Sequence, residues 1–142
     1  MFDLESRKKN TKYVVNIVKN KLYKINPNHS ENGFFVLIIH WIVVGFFLLG
    51  LFIFDFTWLF FISIIIWLII CGLHLYYNGC ICTKIERELW QTKDWYGPWT
   101  APFTLLKKID VPLTQELAHR IFIAWAVVIN IWIIIRIIFH TI

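Results

Sequence analysis

The side chains most able to do chemistry here are His40, His74, His119, Cys80, Cys82 and Glu86, in a chain of 142 residues with five histidines and three cysteines. Imidazoles on neighbouring helices can ligate a haem iron, and imidazole with thiolate or carboxylate can hold a divalent metal. On residue type, His40 and His74 are cofactor-binding candidates, and His40, His74 and His119 are metal candidates. Cys80, Cys82 and Glu86 are the candidates for catalysis, a thiol as nucleophile or a carboxyl as acid or base. Cys82, with Gly79 nearby and a helix predicted to start beside it, is the thiol expected to have a lowered pKa. The Cys80-x-Cys82 spacing is not the C-x-x-C of redox and zinc motifs, and no second pair follows it. Free, inert thiols are the plainer reading, and acylation of juxtamembrane cysteines is another.

The elements that must position these groups follow from composition. Hydrophobic residues make up 58% of the chain and charged ones 16%, against about 25% charged in an average soluble domain. The mean hydropathy is +0.64. These values exclude a disordered chain, a collagen-like chain and a disulfide-stapled scaffold. Three apolar stretches, about 34–54, 57–77 and 121–139, are long enough to cross a hydrocarbon core of about 30 Å as helices. Continuous apolar runs, unlike the alternation of barrel strands, argue for helix, which closes every backbone hydrogen bond within the segment. The expected fold is therefore all-α: a three-helix transmembrane bundle at 34–142, preceded by a basic amphipathic arm at 1–33. A short interfacial helix is expected in the loop 78–120 between the second and third spans.

Depth can be read from the tight hairpin at Asp55-Phe56. His40 lies 15 residues before Asp55 and His74 19 after it, which at about 1.5 Å per residue puts the two imidazoles within one helical turn in depth. His119 enters the third span from the same side, so three imidazoles converge under Cys80, Cys82 and Glu86. At the other end Arg136 reaches the level of Asp55, and an Asp55–Arg136 pair would neutralise both; snorkelling of Arg136 is the alternative. Asn130 is expected to hydrogen-bond across to a neighbouring helix.

Helix ends are also legible. Pro27, Asn28-His29-Ser30 and Gly33 are expected to separate the arm from the first span. Thr57 and Thr114 are expected to cap the second and third spans with their hydroxyls. Asn78-Gly79 should end the second. Thr83-x-x-Glu86 reads as a capping box opening a helix from Lys84 to about Gln91, with Ile85, Leu89 and Trp90 toward the membrane. Trp95, Tyr96, Trp99 and Phe103 belong at headgroup level, where Pro98 and Pro102 argue against a regular helix.

Charge gives orientation and partners. Thirteen of the fourteen Lys and Arg residues fall in the arm and in 78–120, and Arg136 is the exception. The positive-inside rule then puts the N-terminus and the loop 78–120 on the cytoplasmic side and the C-terminus opposite. A secretory signal peptide is not expected, because the apolar stretch starts late and no A-x-A site follows it. Tyr13, Val14, Ile17, Val18 and Leu22 share a helical face, with Lys8, Lys9, Lys12 and Lys19 largely elsewhere. This pattern fits a helix lying on an anionic leaflet or a simple basic anchor. No aromatic–basic interleaving supports nucleic-acid binding, so lipids, other membrane proteins or a second copy are the expected partners.

The segment after the second span carries a resemblance. Cys80-x-x-Thr83-x-x-Glu86 with Leu89, an aromatic loop, Leu113-Thr114 and a last apolar helix resembles a family of small bacterial membrane proteins of unknown function. That family has a Cys-Pro-Leu-Thr-x-x-Glu signature, and the His40 helix resembles its first helix with its His. The similarity covers about 34–140; Ile81-Cys82 replaces Pro-Leu, and the basic arm is extra. The resemblance implies topology and adds no reaction. Three functions stay open at this level. The favoured one is a structural or accessory membrane component, not an enzyme, with no cofactor. The others are a small redox, haem- or divalent-metal-binding protein using His40, His74 and His119, and an interfacial lipid-modifying enzyme using Cys80 or Glu86.

Overall fold

The structure is a computed structural model, and it describes residues 3–55, 57–108 and 114–141. Phe56 of the hairpin and Leu113 of the family resemblance lie outside the described residues, as does the side chain of Trp99. Among the described residues there are six α-helices and no strand: α1 (Leu4–Ile25), α2 (His29–Phe52), α3 (Trp58–Tyr77), α4 (Ile81–Trp90), α5 (Thr100–Lys107) and α6 (Gln115–Thr141). Three of them, α2, α3 and α6, are long and apolar enough to cross a membrane. Their outward surfaces carry Ile38, Trp41, Ile65, Leu68, Val127 and Ile131, all exposed. A face of this kind is at home in hydrocarbon and costly in water.

The first span starts earlier than the sequence suggested. Asn28 does not separate α1 from the membrane helix; it caps it, its Oδ1 accepting from the backbone N–H of Ser30 (3.0 Å) and Glu31 (3.3 Å). Gly33 sits inside α2, not at a break, because the Trp90 indole lies where a Cβ would be. Thr57 caps α3 through its backbone carbonyl, which accepts from Phe60 and Phe61, and its hydroxyl makes no capping bond. Thr114 does cap α6 by side chain, Oγ1 accepting from Leu117 N–H at 3.1 Å.

Two cores hold the helices. Phe47, Leu51, Phe60, Trp67, Ile129 and Ile133 join α2, α3 and α6. Val15, Val36, Ile85 and Leu89 join α1, α2 and α4. The second core corrects an expectation: Ile85 and Leu89 pack between α1 and α2 instead of facing lipid, because α1 offers them Val15, Val18 and Leu22. Where α2 and α3 meet near the hairpin, Gly50 admits Ser63, whose hydroxyl turns back to Leu59 O at 2.9 Å. Small residues allow this close approach of two backbones.

The hairpin end differs from expectation in its ion pair. Arg136 donates to the carbonyls of Leu51 (2.9 Å) and Phe54 (2.8 Å) and lies over the Phe60 ring, while Asp55 is exposed. The last carbonyls of α2 have no helical partner, so a cation there satisfies acceptors and meets the negative end of the helix dipole. Asn130 bonds its own helix, Nδ2 to Ala126 O at 2.7 Å, and not a neighbour.

At the opposite end α3 stops as expected. Asn78 is left-handed (φ 52°), Gly79 follows (φ 121°), and Gly79 N–H donates to His74 O at 2.9 Å. Arg7 donates from Nε to Tyr76 O (2.8 Å) and Lys84 from Nζ to Tyr77 O (2.5 Å). These cations, from α1 and α4, close the last carbonyls of α3 and fix where α4 begins.

Candidate functional site

The chain turns at Asn78-Gly79 and restarts at once in α4, with Cys80 as N-cap residue. That short restart carries Cys80 and Cys82 back over α2 at the level of His40. The His40 Nδ1 is 2.9 Å from Glu86 Oε1, and its Nε2 is 3.4 Å from Cys80 Sγ. Ligand atoms of His40, Cys80 and Cys82 all lie within 4.8 Å of one another. Glu86 is 0% exposed, and Trp95 Nε1 donates to its second oxygen.

This geometry corrects the capping box. Glu86 does not reach back to Thr83, and α4 begins at Ile81 with no side-chain cap. A fully buried carboxyl needs strong partners, and the two it has are the imidazole and the indole. Trp95 was expected at headgroup level and is instead part of the buried network. The aromatic segment that follows is ordered: Gly97–Trp99 is a 3-10 turn, and α5 starts at Thr100 with Pro102 in its first turn. Proline is tolerated there because the first N–H groups of a helix are free anyway. Phe103 is buried, its ring edge-on to Tyr96. Gly97 has φ +62°, and a Cβ on it would stand 2.5 Å from Thr83 Oγ1 and 3.2 Å from His40 Cε1. The backbone of 95–97 thus roofs the His40 ring.

The thiols are not equivalent. The Cys82 thiol donates to the Cys80 sulfur and, against the opposing effect of burial, holds Cys80 well below the ordinary thiol range; His40 adds to this. The same pairing, together with burial, pushes Cys82 up. The depressed thiol is therefore Cys80, because Cys82 is the donor of the pair. Free Cys71 lies apart on α3, against the core of the spans.

His74 and His119 form a separate pair. Their rings stack at 5.5 Å between centroids, with Phe122 on His74 at 3.5 Å. Among the described residues neither His74 Nε2 nor His119 Nδ1 has a hydrogen-bond partner, and both atoms are buried. The convergence expected of three imidazoles is thus divided: His40 joins Cys80, Cys82 and Glu86, while His74 and His119 face each other. His40 turns Nδ1 to Glu86 and Nε2 to Cys80, so it faces the thiols and not His74. The two groups share the wall of one cavity of about 300 Å³.

Lys84 and Arg87 line the same cavity. Burial pushes both below their ordinary pKa range, and for Lys84 the neighbouring Arg87 adds to it. Arg87 donates to Trp95 O and stacks over Tyr96 at 4.9 Å. Sequence reasoning missed Trp95, Gly97, Lys84 and Arg87 as members of this site. No spacing rule marks an indole nine residues after a glutamate, and only the Gly-Pro pair at 97–98 hinted at an unusual backbone.

Comparison with known proteins leaves this all-α chain with three candidate spans on its own: no family model, no curated protein and no solved structure matches it.

Proposed function

We propose that this is a membrane-embedded metal-binding protein in which His40 Nε2, Cys80 Sγ and Cys82 Sγ hold one zinc-class ion. The observation that carries the reading is the chain Glu86–His40–Cys80, with Cys82 alongside. A ligating histidine commonly gives its other N–H to a carboxylate, which fixes tautomer and ring orientation. With Glu86 Oε1 accepting from Nδ1–H in this way, the Nε2 lone pair is left toward the thiols. Two soft sulfurs and an imidazole suit zinc. Two half-buried thiols sharing a proton are also the arrangement a dipositive ion would relieve, since it favours both as thiolates. Three protein ligands leave a fourth position, the mark of catalytic rather than structural zinc, and the cavity borders it. Bound there, zinc supplies a Lewis acid or an activated water.

The test is metal analysis of the full chain, purified in detergent with reduced thiols and loaded with zinc. One zinc per chain, held more weakly in Cys80→Ser and in Cys82→Ser, supports the reading. A wild-type chain that retains no zinc refutes it. A second reading uses the same order of groups differently: Glu86 orients His40, His40 serves as base, and Cys80 is a nucleophile for acyl transfer. The depressed Cys80 thiol favours it. The two readings part at Cys82, which is a ligand in the first and in the second only lowers the Cys80 thiol.

The same proposal includes orientation. The concentration of Lys and Arg in α1 and in 78–120 supports placing the metal end on the cytoplasmic side. Exposed Lys8, Lys9 and Lys12 on α1 are suited to an anionic leaflet, while Lys19 is occupied by Glu88 at 2.8 Å.

A further inference from the structure

The cavity beside the metal centre is divided by chemistry along its length. Its deeper wall is apolar, with Phe47, Leu48, Ile70, Phe122, Trp125 and Ile129 contributed by α2, α3 and α6. Its other end carries Lys84, Arg87, His74 and His119 beside Cys80. Among the described residues no acidic side chain lines it. The two cations there are satisfied by backbone carbonyls and an aromatic face, Lys84 by Tyr77 O and Arg87 by Trp95 O and the Tyr96 ring. Among the described residues, neither has a carboxylate within ion-pair distance.

A second, independent observation points the same way. Among the described residues, His74 Nε2 and His119 Nδ1 are buried with no hydrogen-bond partner, and both residues line the end of the cavity that carries the cations. Buried polar atoms are nearly always satisfied, so the two imidazole nitrogens left over at the cationic end imply an occupant that offers them hydrogen-bond partners. Two cations, imidazoles lacking partners and an apolar extension together describe a ligand with an anionic oxygen-rich head and a hydrocarbon tail. A volume of about 300 Å³ lies at the small end of ligand pockets, which suits one chain better than two. The exposed apolar surfaces of α2, α3 and α6 give such a molecule a lateral source, the bilayer itself.

We infer that the cavity binds a single-chain anionic amphiphile. The head lies between Lys84, Arg87 and the His74–His119 pair, next to the fourth ligand position of the metal, and the chain runs toward Trp67 and Ile129. The placement of the head rests on the metal reading; the charge and the tail do not. A carboxylate held there would complete the coordination of the ion, and a carbonyl in its place would be polarised by it.

The experiment uses the full chain in a non-ionic detergent, loaded with zinc, with laurate and dodecanol as the probes and metal content measured on the same sample. Expected is laurate binding at least about 10-fold tighter than dodecanol, a difference of about 1.4 kcal/mol. The Lys84→Ala/Arg87→Ala chain should lose that preference. Laurate should also bind more weakly to the metal-free chain and change the visible spectrum of a cobalt-loaded one. Val44→Trp, which narrows the apolar part without touching a charge, should weaken laurate and dodecanol alike. Equal affinity for the two probes, or a preference that survives loss of both cations, overturns the inference. Affinity unchanged by stoichiometric zinc overturns the placement of the head. A chain that never loads zinc refutes the metal reading, and the laurate–dodecanol comparison on that chain still decides the ligand class.

Discussion

The two ends of the membrane helices solve the same problem in opposite ways. At the hairpin end polar groups are satisfied by backbone: Arg136 and Trp132 donate to the carbonyls of Leu51 and Phe54, and Ser63 and Asn130 bond their own helices. At the other end side chains from different helices satisfy one another: His40 of α2 meets Cys80 and Glu86 of α4, and Trp95 comes from the loop beyond. Backbone acceptors are present in any helix end, so the first arrangement asks little of the sequence. The second buries a carboxyl and an imidazole beside two half-buried thiols, which is costly unless the network does something else. The hairpin end holds the bundle together, and the His40 end gathers the groups of the proposed metal site.

Substitutions can break that contrast, with effects expected to fall in this order. His40→Ala removes a ligand and leaves Glu86 buried without its imidazole. Zinc affinity, measured by competition with a chelator, should fall by more than the roughly 100-fold upper bound for a supporting residue. Glu86→Gln keeps the shape and a weaker acceptor. It should cost about 10–100-fold in zinc affinity by the same measurement. Gly50→Ala forces a methyl into the space of Ser63; thermal unfolding in detergent should show about 1–3 kcal/mol of lost stability, with zinc content unchanged. Asp55→Asn should change neither zinc content nor stability by more than about 0.5 kcal/mol, as expected of an exposed residue away from any network.

The thiols sharpen the comparison through pH. In the metal-free chain the fold favours the thiolate of Cys80 and the thiol of Cys82. The stability Cys80 contributes is therefore full above the ordinary thiol pKa and is lost as the pH falls through its lowered value. Cys82 is the reverse: the stability of its thiol is full below the ordinary pKa and lost as pH rises through the raised one. At pH 7 alkylation followed by mass spectrometry should find Cys80 modified before Cys82, and zinc should protect both. Modification of Cys82 first would contradict the assigned roles.

Much of the architecture was legible in the sequence for a simple reason. Runs such as 57–77 are apolar along their whole length, and a bilayer leaves a chain like that one choice of backbone. Asn78-Gly79 and Thr114 acted as their local chemistry requires. Asn28 and Gly33 read as breakers because composition alone cannot tell a cap from a break, nor a glycine that loosens a helix from one that admits an indole. Thr83 and Glu86 misled in a similar way. The capping box is a local solution for Glu86, and the chain prefers a distant one, since His40 and Trp95 offer a buried carboxyl more than a single exposed N–H. Equal depth of His40 and His74 followed from residue counting, but their different partners depended on the rotation of α2 and α3, which counting does not give. Cys80 and Cys82 were visible as candidates; their closeness to His40 depended on α4 folding back over α2, which rests on α1 covering its other side.

The most direct test of the central claim is X-ray absorption at the zinc edge on the zinc-loaded full chain. Two sulfur neighbours at about 2.3 Å and an imidazole nitrogen at about 2.0–2.1 Å are the predicted shell, with one sulfur lost in Cys82→Ser. A shell of nitrogen and oxygen alone, or one unaltered by Cys82→Ser, would contradict it.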